Sequence, residues 1–124
     1  MKRNVLIIGA GGVARVVAHK CAQNNAALGD IHIASRTLAK CQAIVDSIHA
    51  MGNLQRPGTL KAHELNAFDV QATANLIRST NSQIVINVGQ SFINMSVLSA
   101  CIATGAAYID TSIHEEPDRV CEQP

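Results

Sequence analysis

Apolar and polar positions alternate between two periods along this chain, and each change of period marks an element. Residues 4–8, in "NVLIIGAGG", form a short apolar run rich in Val and Ile, which reads as a buried strand. Residues 12–24 follow with helical spacing, Val13, Val16, Val17 and Cys21 on one face and Arg15, Lys20 and Gln23 elsewhere. "DIHIAS", 30–35, alternates like a strand. Thr37 then stands where it can cap a helix running to about Met51, with Leu38, Cys41, Ile44, Val45, Ile48 and Met51 as its apolar stripe and Gly52 at its end. After the loop "NLQRPG", residues 59–65 read as a weaker strand, and Asp69 caps a helix to about Ser79. "SQIVINVG", 82–89, is a strong strand pattern, Phe92 to Thr104 a helix closed by Gly105, and 106–110 a fifth strand.

Strands alternating with helices through short connections require parallel pairing and right-handed crossovers. The expected fold is α/β, a Rossmann-type doubly wound parallel sheet of five strands in the order 3-2-1-4-5. Ligand should bind at the carboxyl ends of the first and fourth strands. Residues 1–112 are expected to make this domain, and 113–124 to begin a connection to a further one. That tail carries four of the nine acidic residues and no pattern long enough for a strand or helix.

The turn after the first strand reads Gly9-Ala10-Gly11-Gly12-Val13-Ala14, a G-x-G-x-x-A pattern between strand and helix. Gly9 permits the tight turn, Gly11 lets a pyrophosphate approach the backbone, and Ala14 lets the helix pack close to the sheet. Gly12 and Val13 open the helix whose free amides and dipole favour phosphate. At the tip of the second strand an NAD site commonly has a carboxylate for the ribose 2′-hydroxyl. Here the residues are Ser35, Arg36 and Thr37, with Lys40 one turn later. A 2′-phosphate suits that set, Arg36 offering a charged fork and Ser35 a hydroxyl donor, so NADP(H) is the expected cofactor. Asp69, with Val70 beside it, follows the third strand and is placed either to accept from the adenine amine or simply to cap its helix. Asn87 and Gly89 end the fourth strand beside the crevice, Gly89 where backbone passes near the nicotinamide ribose. Thr111 and Ser112 follow the fifth strand, where a solvated loop is the plainer reading.

Composition narrows the class further. With 124 residues there is room for one modest core, and aromatic residues are limited to Phe68, Phe92 and Tyr108, so aliphatic side chains must fill it. A formal net charge of +1 gives no footprint for nucleic acid or a membrane surface. The glycines interrupt "MKRNVLIIGAGG" too early for a secretory leader, and a cytoplasmic protein is expected. The cysteines at 21, 41, 101 and 121 form no CxxC pair and read as ordinary reduced thiols, and no histidine has metal spacing.

Taken together, "IGAGGVARVVAHKCAQN", "IASRTLAKC" and "INVGQSFINMSVLSACIATGAAYIDTSIHEEP" resemble the saccharopine dehydrogenase-like family over essentially the whole chain. "IASRT" and "AYIDTS" are its more specific pieces, the glycine loop being shared by many families, and Ala14 replaces a glycine found in some relatives. The resemblance implies a two-domain, NADPH-dependent oxidoreductase acting on CH–NH groups. Its second domain completes the substrate site and makes a homodimer. In the branch resembled, a small-molecule aldehyde, aspartate β-semialdehyde, condenses with a diamine and the imine is reduced; the saccharopine branch does analogous chemistry on the lysine skeleton. The proton donor is expected in the second domain, with His114 the one weak candidate here.

Two other readings stay open. One is a stand-alone NADP(H)-binding regulatory module, which also needs no catalytic acid. The other is a shikimate dehydrogenase-like cofactor domain, although that domain normally follows its substrate domain. A short-chain dehydrogenase is disfavoured because Ser112, not Lys, stands four residues after Tyr108.

Overall fold

A computed structural model of the chain describes residues 3–90 and 93–110. The elements are β1 (Arg3–Ile8), α1 (Gly12–Gln23), β2 (Leu28–Ser35), α2 (Leu38–Met51), β3 (Leu60–Glu64), α3 (Val70–Ser79), β4 (Ser82–Asn87), α4 (Asn94–Thr104) and β5 (Ala107–Asp110). The strands form one sheet in the order β3-β2-β1-β4-β5, and every pairing is parallel. This is the doubly wound architecture expected from the alternation.

The continuous apolar run of β1 follows from its central place. Val5 and Ile7 face one core with Ile31, Ile33, Ala14, Ala18, Ile44 and Ile48 beneath α1 and α2. Leu6 and Ile8 face the other with Val85, Ala74, Ile77, Val97 and Ala100 beneath α3 and α4. A strand covered on both sides cannot alternate. Each fully buried Ile or Leu contributes roughly 1.5–3 kcal/mol, more than a surface ion pair supplies. At its start β1 is held by Asn4, whose Oδ1 accepts from Asp30 N at 2.8 Å and whose Nδ2 donates to the Thr80 carbonyl at 3.3 Å. The ladder shifts register at this point on both sides, and the Asn4 side chain adds bonds to β2 and to the α3–β4 turn there.

Two helix faces differ from the sequence pattern. In α1 the buried residues are Ala14, Ala18, Cys21 and Ala22, whereas Val13 and Val16 are 56% and 60% exposed. A helix packs closest to a sheet on its smallest side chains; the valines are rotated away, and only Val17 stays partly in the core. In α2 the interior positions Cys41, Ile44, Val45 and Ile48 are buried as expected, but Leu38 and Met51, at the two ends of the helix, are exposed.

The helix ends follow their chemistry. Gly52 and Gly105 close α2 and α4 in the left-handed conformation, with φ of 63° and 78°. The Asp69 carboxylate accepts from Ala72 N at 3.0 Å, capping α3. Thr37 precedes α2 but makes no side-chain cap bond. β4 ends at Asn87 rather than residue 89, because the Gly89 amide turns back to the Asn87 side chain at 3.0 Å. Cys21, Cys41 and Cys101 are free, buried thiols.

Candidate functional site

A cleft of about 420 Å³ opens at the carboxyl ends of the strands, and all four strand-to-helix connections contribute to it. Its first wall is the glycine loop. Gly9 has φ of 126°, and a Cβ there would lie 3.0 Å from both Gly89 N and Val88 C. Only glycine accommodates that turn against the β4 tip. Gly9 N donates to the Ala34 carbonyl at 2.9 Å, tying the turn to β2. Gly11 is different in kind. Its φ is −86°, and a Cβ added there would meet nothing within 4 Å. Folding therefore does not require a glycine at 11, while the open space is what a phosphate group approaching the backbone needs. α1 begins there with no side-chain cap and no acidic residue in its first turn, leaving its positive end available to an anion. Gly12 and Val13 are exposed and do not line the cleft.

The second wall is the tip of β2, where Ser35, Arg36, Thr37 and Lys40 all line the cleft. The Ser35 hydroxyl donates to the Thr37 carbonyl and accepts from Thr37 N, both at 3.1 Å. It also accepts from the Cys41 thiol at 3.2 Å. Burial pushes that thiol up, opposed in part by the Ser35 bond, so it remains a neutral donor. The single Ser35 proton is thus engaged in shaping the turn, and the groups left for an anion are the exposed Arg36, Thr37 and Lys40. No carboxylate lines the cleft among the described residues.

The β3–α3 connection supplies a third wall that the sequence reading missed. Leu65 and Ala67 are buried, and Phe68 stands at the rim, 47% exposed. Asn66 Oδ1 accepts from Phe68 N at 3.1 Å and fixes the loop. An apolar wall with an aromatic ring beside a polar turn suits a flat heteroaromatic base. The signal was present in "ELNAFD", apolar residues just before a helix cap and just after a strand. Asp69 and Val70 lie outside this lining, the Asp69 carboxylate being used by its helix.

The last wall is the β4–α4 connection, Val88, Gly89, Gln90 and Ile93. Asn87 does not reach the cleft. It is 0% exposed, its Oδ1 accepts from Gly89 N, and its Nδ2 donates to Asn94 Oδ1 at 2.7 Å and to the Tyr108 hydroxyl at 3.3 Å. Burial, more than the bond to Asp110, pushes the Tyr108 phenol up to about 12 and keeps it protonated. A Cβ at Gly89 would lie 3.0 Å from Ile93 Cδ1 and 3.3 Å from Asn87 Oδ1, so the bare backbone lets this turn sit close against α4 and the Asn87 amide. Thr111, Ser112 and His114 lie outside the described residues.

The residues match the saccharopine dehydrogenase NADP binding domain family over 5–123. The chain is 48% identical to carboxynorspermidine synthase of Vibrio alginolyticus over 110 residues, 88% of this chain and 27% of that protein. It is 39% identical to carboxyaminopropylagmatine dehydrogenase of Synechocystis over 114 residues, 92% of this chain and again 27% of the relative. It therefore spans about a quarter of the length of these relatives. Among solved structures, apo saccharopine dehydrogenase (L-Glu forming) from Saccharomyces cerevisiae superposes with a TM-score of 0.70 and 25% identity, covering 93% of this chain and 22% of that one. A short-chain type dehydrogenase/reductase from Mycobacterium ulcerans, at 15% identity and a TM-score of 0.69 over 87% of this chain and 50% of its own, shares the fold. The chain belongs to the saccharopine dehydrogenase NADP binding domain family, and its cofactor is NADP(H).

Proposed function

We propose that the cleft holds NADP(H) extended across the sheet. The pyrophosphate lies over Gly11 at the start of α1, the 2′-phosphate against Arg36 and Lys40, and the adenine beside Phe68. The nicotinamide half runs toward Gly89 and Gln90. The observation that carries this reading is the β2 tip, with two exposed cations and, among the described residues, no carboxylate on the cleft lining. A carboxylate there would repel a 2′-phosphate; a guanidinium and an ammonium attract it. NADPH supplies a hydride when bound, and the chain's residues place it and shield one side of it.

We further infer that residues 1–112 act as the cofactor domain of a longer oxidoreductase and 113–124 begin the connection to a second domain. The proposed reaction is reduction of the imine between aspartate β-semialdehyde and a diamine such as 1,3-diaminopropane or putrescine. The support for this substrate class is the similarity to the Vibrio carboxynorspermidine synthase, with the Synechocystis relative pointing to a different amine on related chemistry. No carboxylate, imidazole, phenol or thiol lines the cleft among the described residues, so the proton donor for imine reduction is assigned to the second domain, which also dimerises.

Isothermal titration with NADPH and NADH tests the cofactor geometry. Charge-assisted bonds to a 2′-phosphate contribute about 1.5–3 kcal/mol, so NADPH should bind about ten-fold or more tightly than NADH. Arg36→Ala should erase most of that preference and leave NADH binding nearly unchanged. Equal affinities in the parent chain would remove the 2′-phosphate from the β2 tip.

A further inference from the structure

The fully buried Asn87 amide is not part of the cleft lining, yet it holds one of its walls. We propose that Asn87 is a positioning residue for the nicotinamide half of NADP(H). Its amide locks the Val88–Gly89–Gln90 turn to α4 and β5, and so sets where that wall stands relative to the glycine loop. This rests on the reading above that the β4 side takes the nicotinamide half.

Four observations support it. First, Asn87 is 0% exposed, so it cannot touch a ligand in the cleft. Secondly, both ends of its amide are used: Oδ1 holds Gly89 N at 3.0 Å, while Nδ2 reaches Asn94 Oδ1 at 2.7 Å and the Tyr108 hydroxyl at 3.3 Å. Thirdly, the turn it holds stands close against the glycine loop, because a Cβ at Gly9 would lie 3.0 Å from Gly89 N and Val88 C. Gly9 and Gly89 both line the cleft, so a shift of Gly89 relative to Gly9 changes the cleft's width. Fourthly, residues 88–90 line the cleft directly, whereas none of Asn87's side-chain partners lies at the β2 or β3 end. The adenosine half and the nicotinamide half are thus held by separable parts of the chain.

That separation defines the test. Wild type, Asn87→Ala and Tyr108→Phe are titrated with NADPH and with 2′,5′-ADP, which carries the adenosine half alone, and the emission of the bound reduced nicotinamide is recorded. In Asn87→Ala, 2′,5′-ADP should bind within about two-fold of wild type, while NADPH weakens about ten-fold or more and its emission shifts toward that of free NADPH. Tyr108→Phe removes one acceptor of the same amide and keeps the packing, so it should weaken NADPH alone by about two- to three-fold. It also decides the matter should Asn87→Ala fail to fold. Equal losses for both ligands would make Asn87 merely structural, and no loss for either would make it irrelevant; each overturns the proposal while leaving the cofactor site intact. If wild type binds neither ligand, the cofactor geometry itself fails, and this inference with it.

Discussion

At the scale of single residues, the two outer glycines of the G-x-G loop do separate jobs that a motif treats alike. Gly9 combines φ of 126° with backbone at 3.0 Å from any Cβ, so its replacement strains the fold itself. Gly11 has neither constraint, and Gly11→Val should cost only about 1 kcal/mol or less, from a poorer residue at the start of α1. The same side chain fills the space proposed for pyrophosphate. NADPH binding should therefore disappear from titration while circular dichroism and the unfolding midpoint change little; undiminished binding would move the phosphates elsewhere. The glycines were legible in the sequence because a backbone requirement leaves a residue identity behind. Asn87 was legible only in location. Its role depends on Asn94 and Tyr108, 7 and 21 positions away, and no local pattern announces such partners. Ser35 was read as a phosphate donor for the same reason: only the folded turn shows its proton already directed at the Thr37 carbonyl.

At the scale of elements, all five strands and their order were legible, since a buried parallel strand and an amphipathic helix carry different periods. The face of α1 was not. Periodicity weighs Val above Ala, but the gap between a helix and a sheet favours the smaller side chain, and the helix turned its alanines inward. Pairing across strands also created something neither strand contained. Register places His63 opposite Ala34 and His32 opposite Lys61, which brings His32 Nδ1 to 2.8 Å from His63 Nε2. One proton serves that contact. Burial holds the His32 imidazole below its usual 6.5, with His63 and Lys61 adding to the effect and Asp30 opposing it. Burial and then Lys61 lower His63. On unfolding, both return to the ordinary value, so below about pH 6.5 the unfolded chain takes up more protons than the folded one. Stability from this pair is complete above that pH and is lost as pH falls through the depressed folded values. Urea midpoints should drop between about pH 7.5 and about pH 5.5, and the double replacement His32→Gln/His63→Gln should drop less over the same range. Identical slopes in both proteins would mean that the pair carries no pH dependence.

At the scale of the whole molecule, the cleft is equipped to hold a cofactor and poorly equipped to act on a substrate. Among the described residues its lining offers amides, hydroxyls and two cations, but no carboxylic acid, imidazole, phenol or thiol to protonate an imine nitrogen, and Lys40 is exposed at the end proposed for the 2′-phosphate. Its four walls, among the described residues, are connections on one edge of a single sheet, and these walls by themselves do not enclose the cofactor. Imine reduction needs water excluded and charges preorganised around the reacting carbon. The 124-residue chain should therefore bind NADPH yet show no oxidation of it when given aspartate β-semialdehyde with 1,3-diaminopropane or putrescine. The same sequence continued to the length of its relatives should consume NADPH under those conditions, measured by the fall in absorbance of the reduced nicotinamide. Turnover by the 124-residue chain alone would place the proton donor within it, outside the cleft as described, and His114 would be the first side chain to replace. Inactivity of the longer protein with every such amine, despite normal NADPH binding, would instead leave the cofactor domain standing and discard the proposed substrate.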